Sequence, residues 1–249
     1  MSKRALSVLA AVLVVTSVGA AWSKYRRPSA TAGHGAHASA AGAGGAPEGK
    51  DAGPHMRMTV PRAARAGDET RAAGVAAEAR RAIEKYRDYR AALRDGYEIL
   101  LPHVPQKMYH FNNLSHYAEA ERRFDAARPT SLLYEKDGAG YRLIGVMYTA
   151  PAGLNEDELD ARIPLSVAAW HQHVNVCLPQ GDPLRNLFGG GPGFGLDGSI
   201  STEAGCREAG GRFYPRLFGW MVHLYPYEPT AREMWSVERQ MSGGSGHVH

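Results

Sequence analysis

The residues with the clearest chemical potential lie in segment 170–177, which reads Trp-His-Gln-His-Val-Asn-Val-Cys. In a β-strand, alternate side chains point to opposite faces, so His171 and His173 would share one face. A later apolar segment carries His223 in a comparable setting. Three imidazoles from neighbouring strands suit a cation that keeps one coordination position open. We therefore predict a metal site built from these three histidines.

Four more residues are candidates to complete this site. His110 and His116 lie together in an aromatic segment, and either is a candidate fourth ligand. Glu228 follows the His223 strand and is the candidate general base, while Asn175 would hold an imidazole in one tautomer. Because imidazole suits several transition metals, we expect one divalent metal ion, zinc or copper rather than iron.

The sequence leaves open what such a site would do. Neither a Gly-x-Ser-x-Gly nucleophile motif nor a His-Glu-x-x-His metalloprotease motif is present. A metalloenzyme acting on an unknown small molecule and a metal carrier both agree with the pattern. The alternative is a metal-free binding module of the cell envelope, in which the histidines form a buried polar network with Asn175 and Tyr225.

The chain contains only two cysteines, Cys177 and Cys206. An even number of cysteines in an exported protein indicates a disulfide, which we predict here. The competing interpretation makes Cys177 a thiolate ligand beside the histidines of its strand.

The first residues resemble a targeting signal. A basic start precedes the uncharged, mostly apolar run 5–22, which ends in small residues. Residues 1–27 are therefore predicted to be a signal peptide or an N-terminal membrane anchor, since 18 residues just suffice to span a bilayer. We expect a periplasmic or extracellular protein, either released or tethered to the inner membrane through residues 5–22.

Composition divides the remaining chain into three parts. Residues 28–68 are rich in Ala, Gly, Pro and Ser, which predicts a flexible linker whose histidines, including His55, are solvated. Residues 69–240 should form a single globular domain, and 241–249 a disordered tail. The formal charge of +4 comes from scattered Lys and Arg, so nucleic acid is not an expected partner.

Local patterns predict an α+β fold. Apolar residues recur at helical spacing through 70–94, and two strand-like runs at 131–136 and 141–149 flank a Gly-containing turn. We expect a mostly antiparallel sheet with helices packed on one face, a flattened barrel being the alternative. The Gly- and Pro-rich loop 178–199 would border the histidines as a lid.

Four sequence blocks, at 129–134, 147–151, 170–173 and 218–223, resemble those of an uncharacterised family of exported bacterial proteins. The ordered combination of blocks, which includes Trp-His-x-His and Phe-Gly-Trp-Met-Val-His, is distinctive. The resemblance covers roughly residues 90–230. It implies an exported bacterial protein and carries no established activity.

Overall fold

The computed structural model describes residues 53–181, 185–187, 191, 193–236 and 239. The predicted signal or anchor segment, most of the predicted linker and the predicted tail lie outside this part of the chain. Among the residues that are described, no helix is long and apolar enough to cross a membrane.

Eight β-strands form one antiparallel sheet. The strands are β1 (Met56–Met58), β2 (Glu98–Ile99), β3 (Tyr109–Asn112), β4 (Ser131–Asp137), β5 (Gly140–Ala150), β6 (His171–Leu178), β7 (Arg212–Arg216) and β8 (Trp220–Leu224). Their order is β1-β6-β8-β5-β4-β3-β2, with β7 also paired to β6. Helices and a mostly antiparallel sheet confirm the predicted α+β fold. The sheet is not closed, so the alternative of a flattened barrel is wrong.

Six α-helices accompany the sheet in the described chain. They are α1 (Asp68–Ile83), α2 (Tyr89–Arg94), α3 (Leu114–Ala120), α4 (Glu156–Arg162), α5 (Glu203–Glu208) and α6 (Ala231–Met234). Helices α1 and α4 contribute to the largest apolar cluster, which covers one face of the sheet. The opposite face carries a smaller apolar cluster and the histidines.

Helix α1 packs against the sheet through a narrow stripe of small residues. Ala72, Ala76, Ala79 and Ile83 recur at helical spacing and are all buried. The predicted helix 70–94 is interrupted after α1 by a 3₁₀ turn, because the Asp88 carboxylate accepts a hydrogen bond from the Arg90 amide and starts α2 separately.

The sequence predicts helix caps at Thr70, at Asn113 or Ser115, at Asn155 and at Ser201 or Thr202. The last three are confirmed, while the cap at Thr70 is wrong because α1 already begins after Gly67. The side chains that accept hydrogen bonds from first-turn amides are Asn113, Asn155, Thr202 and Thr230. Helix α3 is shorter than the sequence indicates, since it ends at Ala120 rather than near Ala127. The Asp125 carboxylate accepts from the Ala127 amide there and forms a turn in place of further helix.

A paired strand lies before the predicted domain boundary at residue 69. Strand β1 lies within the predicted linker and pairs with β6 through Met56–His173 and Met58–His171. His55 is buried, and its ring nitrogens bond the carbonyl oxygens of Asn175 at 2.9 Å and Gly198 at 2.6 Å. The expectation of a solvated His55 is therefore wrong, because three distant segments meet at its imidazole.

Candidate functional site

Four histidines lie on the face of the sheet opposite α1. His171 and His173 come from β6, His223 from β8 and His110 from β3. The ring centroids of His173 and His171 are 5.7 Å apart, those of His171 and His223 5.4 Å, and those of His223 and His110 5.7 Å. The four imidazoles therefore form a continuous histidine row across the sheet.

The contact between His110 and His223 requires the sheet to curl. Strands β4 and β5 separate β3 from β8, which in a flat sheet would place the two backbones about 14 Å apart. Two imidazoles do not span that gap unless the strands bend toward each other. A register shift at Leu133/Tyr134 between β4 and β5 is of the kind that increases local bending.

Gly145 lets β8 approach β5 closely beside the row. A Cβ atom at this position would lie 2.5 Å from the Leu224 carbonyl oxygen and 3.0 Å from the Tyr225 ring. Only a residue without a side chain fits that gap. The glycine thus belongs to the geometry that brings the histidines together.

Burial favours the neutral form of three histidines of the row, His110, His173 and His223. Desolvation lowers the pKa of His110 and of His173 to about 4. It also holds the pKa of His223 well below its usual range, and His171, His110 and His173 add to that effect. Neutral imidazole is the form that binds a metal ion, so burial favours the ligand form at these three positions.

Two of the rings are already oriented by neighbouring groups. His110 bonds the main chain of Met108, which partly offsets the desolvation that lowers its pKa. The Nδ1 atom of His223 lies 3.5 Å from the Tyr225 hydroxyl, which in turn lies 3.9 Å from the Met108 sulfur. Metal-binding histidines commonly use one ring nitrogen in such a bond and the other for the metal.

The nitrogen atoms do not yet converge on one point. Among the described residues, no group of three or more His, Cys, Asp or Glu is arranged to hold a metal ion as it stands. With a metal–nitrogen distance of about 2.1 Å, imidazoles in a tetrahedral site have ring centroids about 5 Å apart. The neighbouring rings of the row are 5.4–5.7 Å apart, so each adjacent pair lies close to the spacing that a shared ion requires.

The surroundings of the row are apolar. Its walls are Met108, Leu133, Ile144, Met147, Met221 and Tyr225. The Phe218 ring lies 6.2 Å from His173 and also packs against the cluster formed by Val176, Leu178, Leu187 and Leu217. That second cluster includes parts of the predicted lid loop, which therefore adjoins the row through Phe218.

Three sequence candidates lie elsewhere. His116 bonds the Pro129 carbonyl at 2.8 Å and lies 3.2 Å from the Tyr97 hydroxyl, where it lines a surface depression. Glu228 accepts a hydrogen bond from Arg239. Asn175 donates from its side chain to the Pro54 carbonyl at 3.1 Å. None of these contacts involves the histidine row.

Asn175 has a backbone role that the strand pattern did not indicate. Its φ of 55° lies in the left-handed region, which asparagine tolerates better than most residues. This conformation interrupts the alternation of β6 after His173. The face shared by His171 and His173 therefore does not extend to Asn175.

The predicted disulfide is confirmed. Cys177 and Cys206 are bonded, with Cα atoms 5.5 Å apart and a sequence separation of 29. Cys177 is therefore not a thiolate ligand, and its bond fastens α5 to the end of β6.

No family model, curated protein or solved structure matches this chain. The assignment of the site accordingly rests on its own residues.

Proposed function

We propose that this chain is an exported metal-binding protein whose centre is the histidine row. The observation that carries the proposal is the continuous contact of four imidazoles from three strands, in an apolar setting. An imidazole can use one ring nitrogen for a hydrogen bond and the other for a metal, so one cation could be bound by several of these rings together.

The environment of the row supports binding or carriage of the metal more than hydrolysis. Hydrolysis at a metal centre needs a base near the metal-bound water. The candidate base, Glu228, is paired with Arg239 instead. The groups that shift the pKa of His173 are burial, His110 and His55, with no carboxylate among them.

Export is proposed from two separate features. The basic start and the apolar run 5–22 have the layout of a secretory signal. The Cys177–Cys206 disulfide is of a kind that persists in oxidising compartments such as the periplasm. The resemblance to exported bacterial proteins points the same way.

One observation favours the alternative of a metal-free envelope module. In the described part of the chain, the row does not have the geometry of a metal site. A network of core histidines packed against one another would also lack that geometry. In that case the imidazoles would remain where they are, and metal ions would neither bind nor stabilise the protein.

Elemental analysis of the untagged protein tests the proposal. The chain should carry glutamine at the four histidines outside the described residues that could capture metal nonspecifically: His34, His37, His247 and His249. We expect about one transition-metal ion per chain, as for a single well-formed site. The double variant His171→Ala/His173→Ala should lose it.

The matched control is His116→Ala, which removes a histidine outside the row. It should retain the metal of the parent protein. A folded parent protein that stays metal-free after incubation with zinc, copper and iron would contradict the proposal and support the metal-free module.

A further inference from the structure

Methionines share the face of the histidine row to an unusual extent. The chain has eight methionines, and five of them lie on this face: Met56, Met58, Met108, Met147 and Met221. None of the five belongs to the large apolar core, which lies on the other face. The sequence pattern had drawn attention only to the histidines.

Strand register places two of these methionines directly beside row histidines. Met147 is opposite His223 across β5 and β8, and Met221 is opposite His171 across β8 and β6. Directly opposed residues have Cβ atoms about 5 Å apart on the same face. Met147 is 4% exposed and Met221 6% exposed, so both thioethers are held inside with the rings.

Two further methionines extend the pattern to the edge of the sheet. Met58 is opposite His171 on its β1 side, and Met56 is opposite His173. His171 therefore has a methionine as its direct neighbour on each adjacent strand. The register therefore places soft sulfur donors on both sides of His171.

The charge of the site restricts the cation it would accept. Imidazole and thioether donors are both neutral, and no carboxylate is among the groups that shift the pKa values of His110, His173 and His223. A bound ion would keep its full charge in a buried setting. The desolvation cost of an ion rises with the square of its charge, so a monovalent ion is far less costly here than a divalent one.

Thioether donors select copper(I) among the common metal ions, while zinc favours imidazole, thiolate and carboxylate. We propose that the site takes copper as Cu(I), bound by imidazoles of the histidine row together with the thioether of Met147, Met221 or both. This inference rests on the proposed metal centre and names its ion. It replaces the divalent ion expected from the sequence with a monovalent one.

Competition titrations with two metals test the inference on the full chain. Cu(I) is supplied with ascorbate, which leaves the disulfide intact, and competed with a chromophoric Cu(I) chelator; Zn(II) is competed with a zinc chelator in parallel. The test variant is Met147→Leu/Met221→Leu, which removes both sulfurs at nearly constant volume. We expect it to weaken Cu(I) binding at least about 10-fold and to leave Zn(II) binding unchanged.

The matched control is Met234→Leu, which removes the sulfur of a partly buried methionine packed against the other core. It should bind Cu(I) as the parent does. If the double variant does not fold, the single variants Met147→Leu and Met221→Leu replace it. Copper-edge X-ray absorption of the Cu(I)-loaded parent should show a sulfur neighbour beside the imidazole nitrogens.

The outcomes separate the inference from the function on which it rests. A parent that binds Zn(II) or Cu(I) through the histidines, with no sulfur neighbour and no effect of the methionine variants, overturns the copper(I) inference and leaves the metal centre standing. A parent that binds neither ion overturns both. Selective loss of Cu(I) in the methionine variant supports both.

Discussion

At the scale of single residues, His223 holds the central place in the row. Its ring contacts His171 on one side and His110 on the other, and it is 4% exposed. His173 and His110 form the two ends and are only partly buried. Three consecutive histidines of the row can be chosen in two ways, with either His173 or His110 as the third ligand. Both choices include the inner pair, His171 and His223.

We therefore predict that His223→Asn lowers metal affinity by more than about 100-fold, beyond the effect usual for residues that only support ligands. Competition titration measures it, with His116→Asn as the control. If the two variants bound the metal with equal affinity, His223 would not be a metal ligand.

Single residues also show which parts of the site can be predicted from the local sequence. The alternation of His171 and His173 and the pairing of Cys177 with Cys206 could be read from type and spacing. His110 could be proposed only as a spare ligand, since its contact with His223 depends on curvature across four strands. His55 was misread because a Gly-rich composition around it gives no sign of its two carbonyl partners.

At the scale of elements, the β5–β8 pair determines how the row is assembled. Gly145→Ala would force a Cβ against the Leu224 carbonyl, so one of the two strands must move. We predict a loss of about 1–3 kcal/mol in the free energy of unfolding, as for overpacked cores. Urea unfolding monitors it, together with weaker metal binding.

The control is Gly74→Ala in helix α1, where an added Cβ meets nothing within 4 Å. Alanine there should stabilise the protein by about 0.5–1 kcal/mol, since it has the higher helix propensity. If both substitutions behaved alike, close approach at Gly145 would not be the cause.

Asp68, the first residue of α1, makes the free energy of unfolding depend on pH. The Ser166 hydroxyl, followed by the Arg65 amide, lowers the pKa of Asp68 below its usual value of 3.8. The unfolded chain therefore binds this proton at a higher pH than the folded one. The stabilisation by Asp68 is complete above the unfolded pKa and is lost as the pH falls through the folded pKa.

We accordingly expect Asp68→Asn to be less stable than the parent at pH 7, with the difference shrinking below about pH 4. Thermal unfolding of both proteins between pH 7 and pH 3 measures it. A difference that stayed constant down to pH 3 would show that the charge of Asp68 is not responsible.

The elements themselves were predictable where their signals are local. The β4–β5 hairpin and the Asn155 capping box follow from turn and cap chemistry within a few residues. Strand β1 was missed because three residues pair with a strand more than a hundred positions away. Its assignment depends on β6 rather than on its own composition.

At the scale of the whole molecule, the disulfide connects α5 and β6 and closes a loop of 29 residues. The chain-entropy relation gives about 3–4 kcal/mol of stabilisation for such a loop. We predict that Cys177→Ala/Cys206→Ala unfolds roughly 10 °C lower, at about 2–4 °C per kcal/mol for a domain of this size. Differential scanning calorimetry measures this shift.

The same variant should still bind its metal, since neither cysteine is a ligand. Metal content is compared with that of the parent at a temperature where both are folded. Loss of metal from a folded variant would return a sulfur of Cys177 or Cys206 to the candidate ligands.

The central claim is that one metal ion binds at the histidine row. The most direct measurement is anomalous diffraction from crystals of the metal-loaded protein. We predict one strong peak beside His171 and His223, within about 2.1 Å of imidazole nitrogens from at least three of the four row histidines. A loaded crystal with no peak there, and with the four rings packed against one another, would contradict the account.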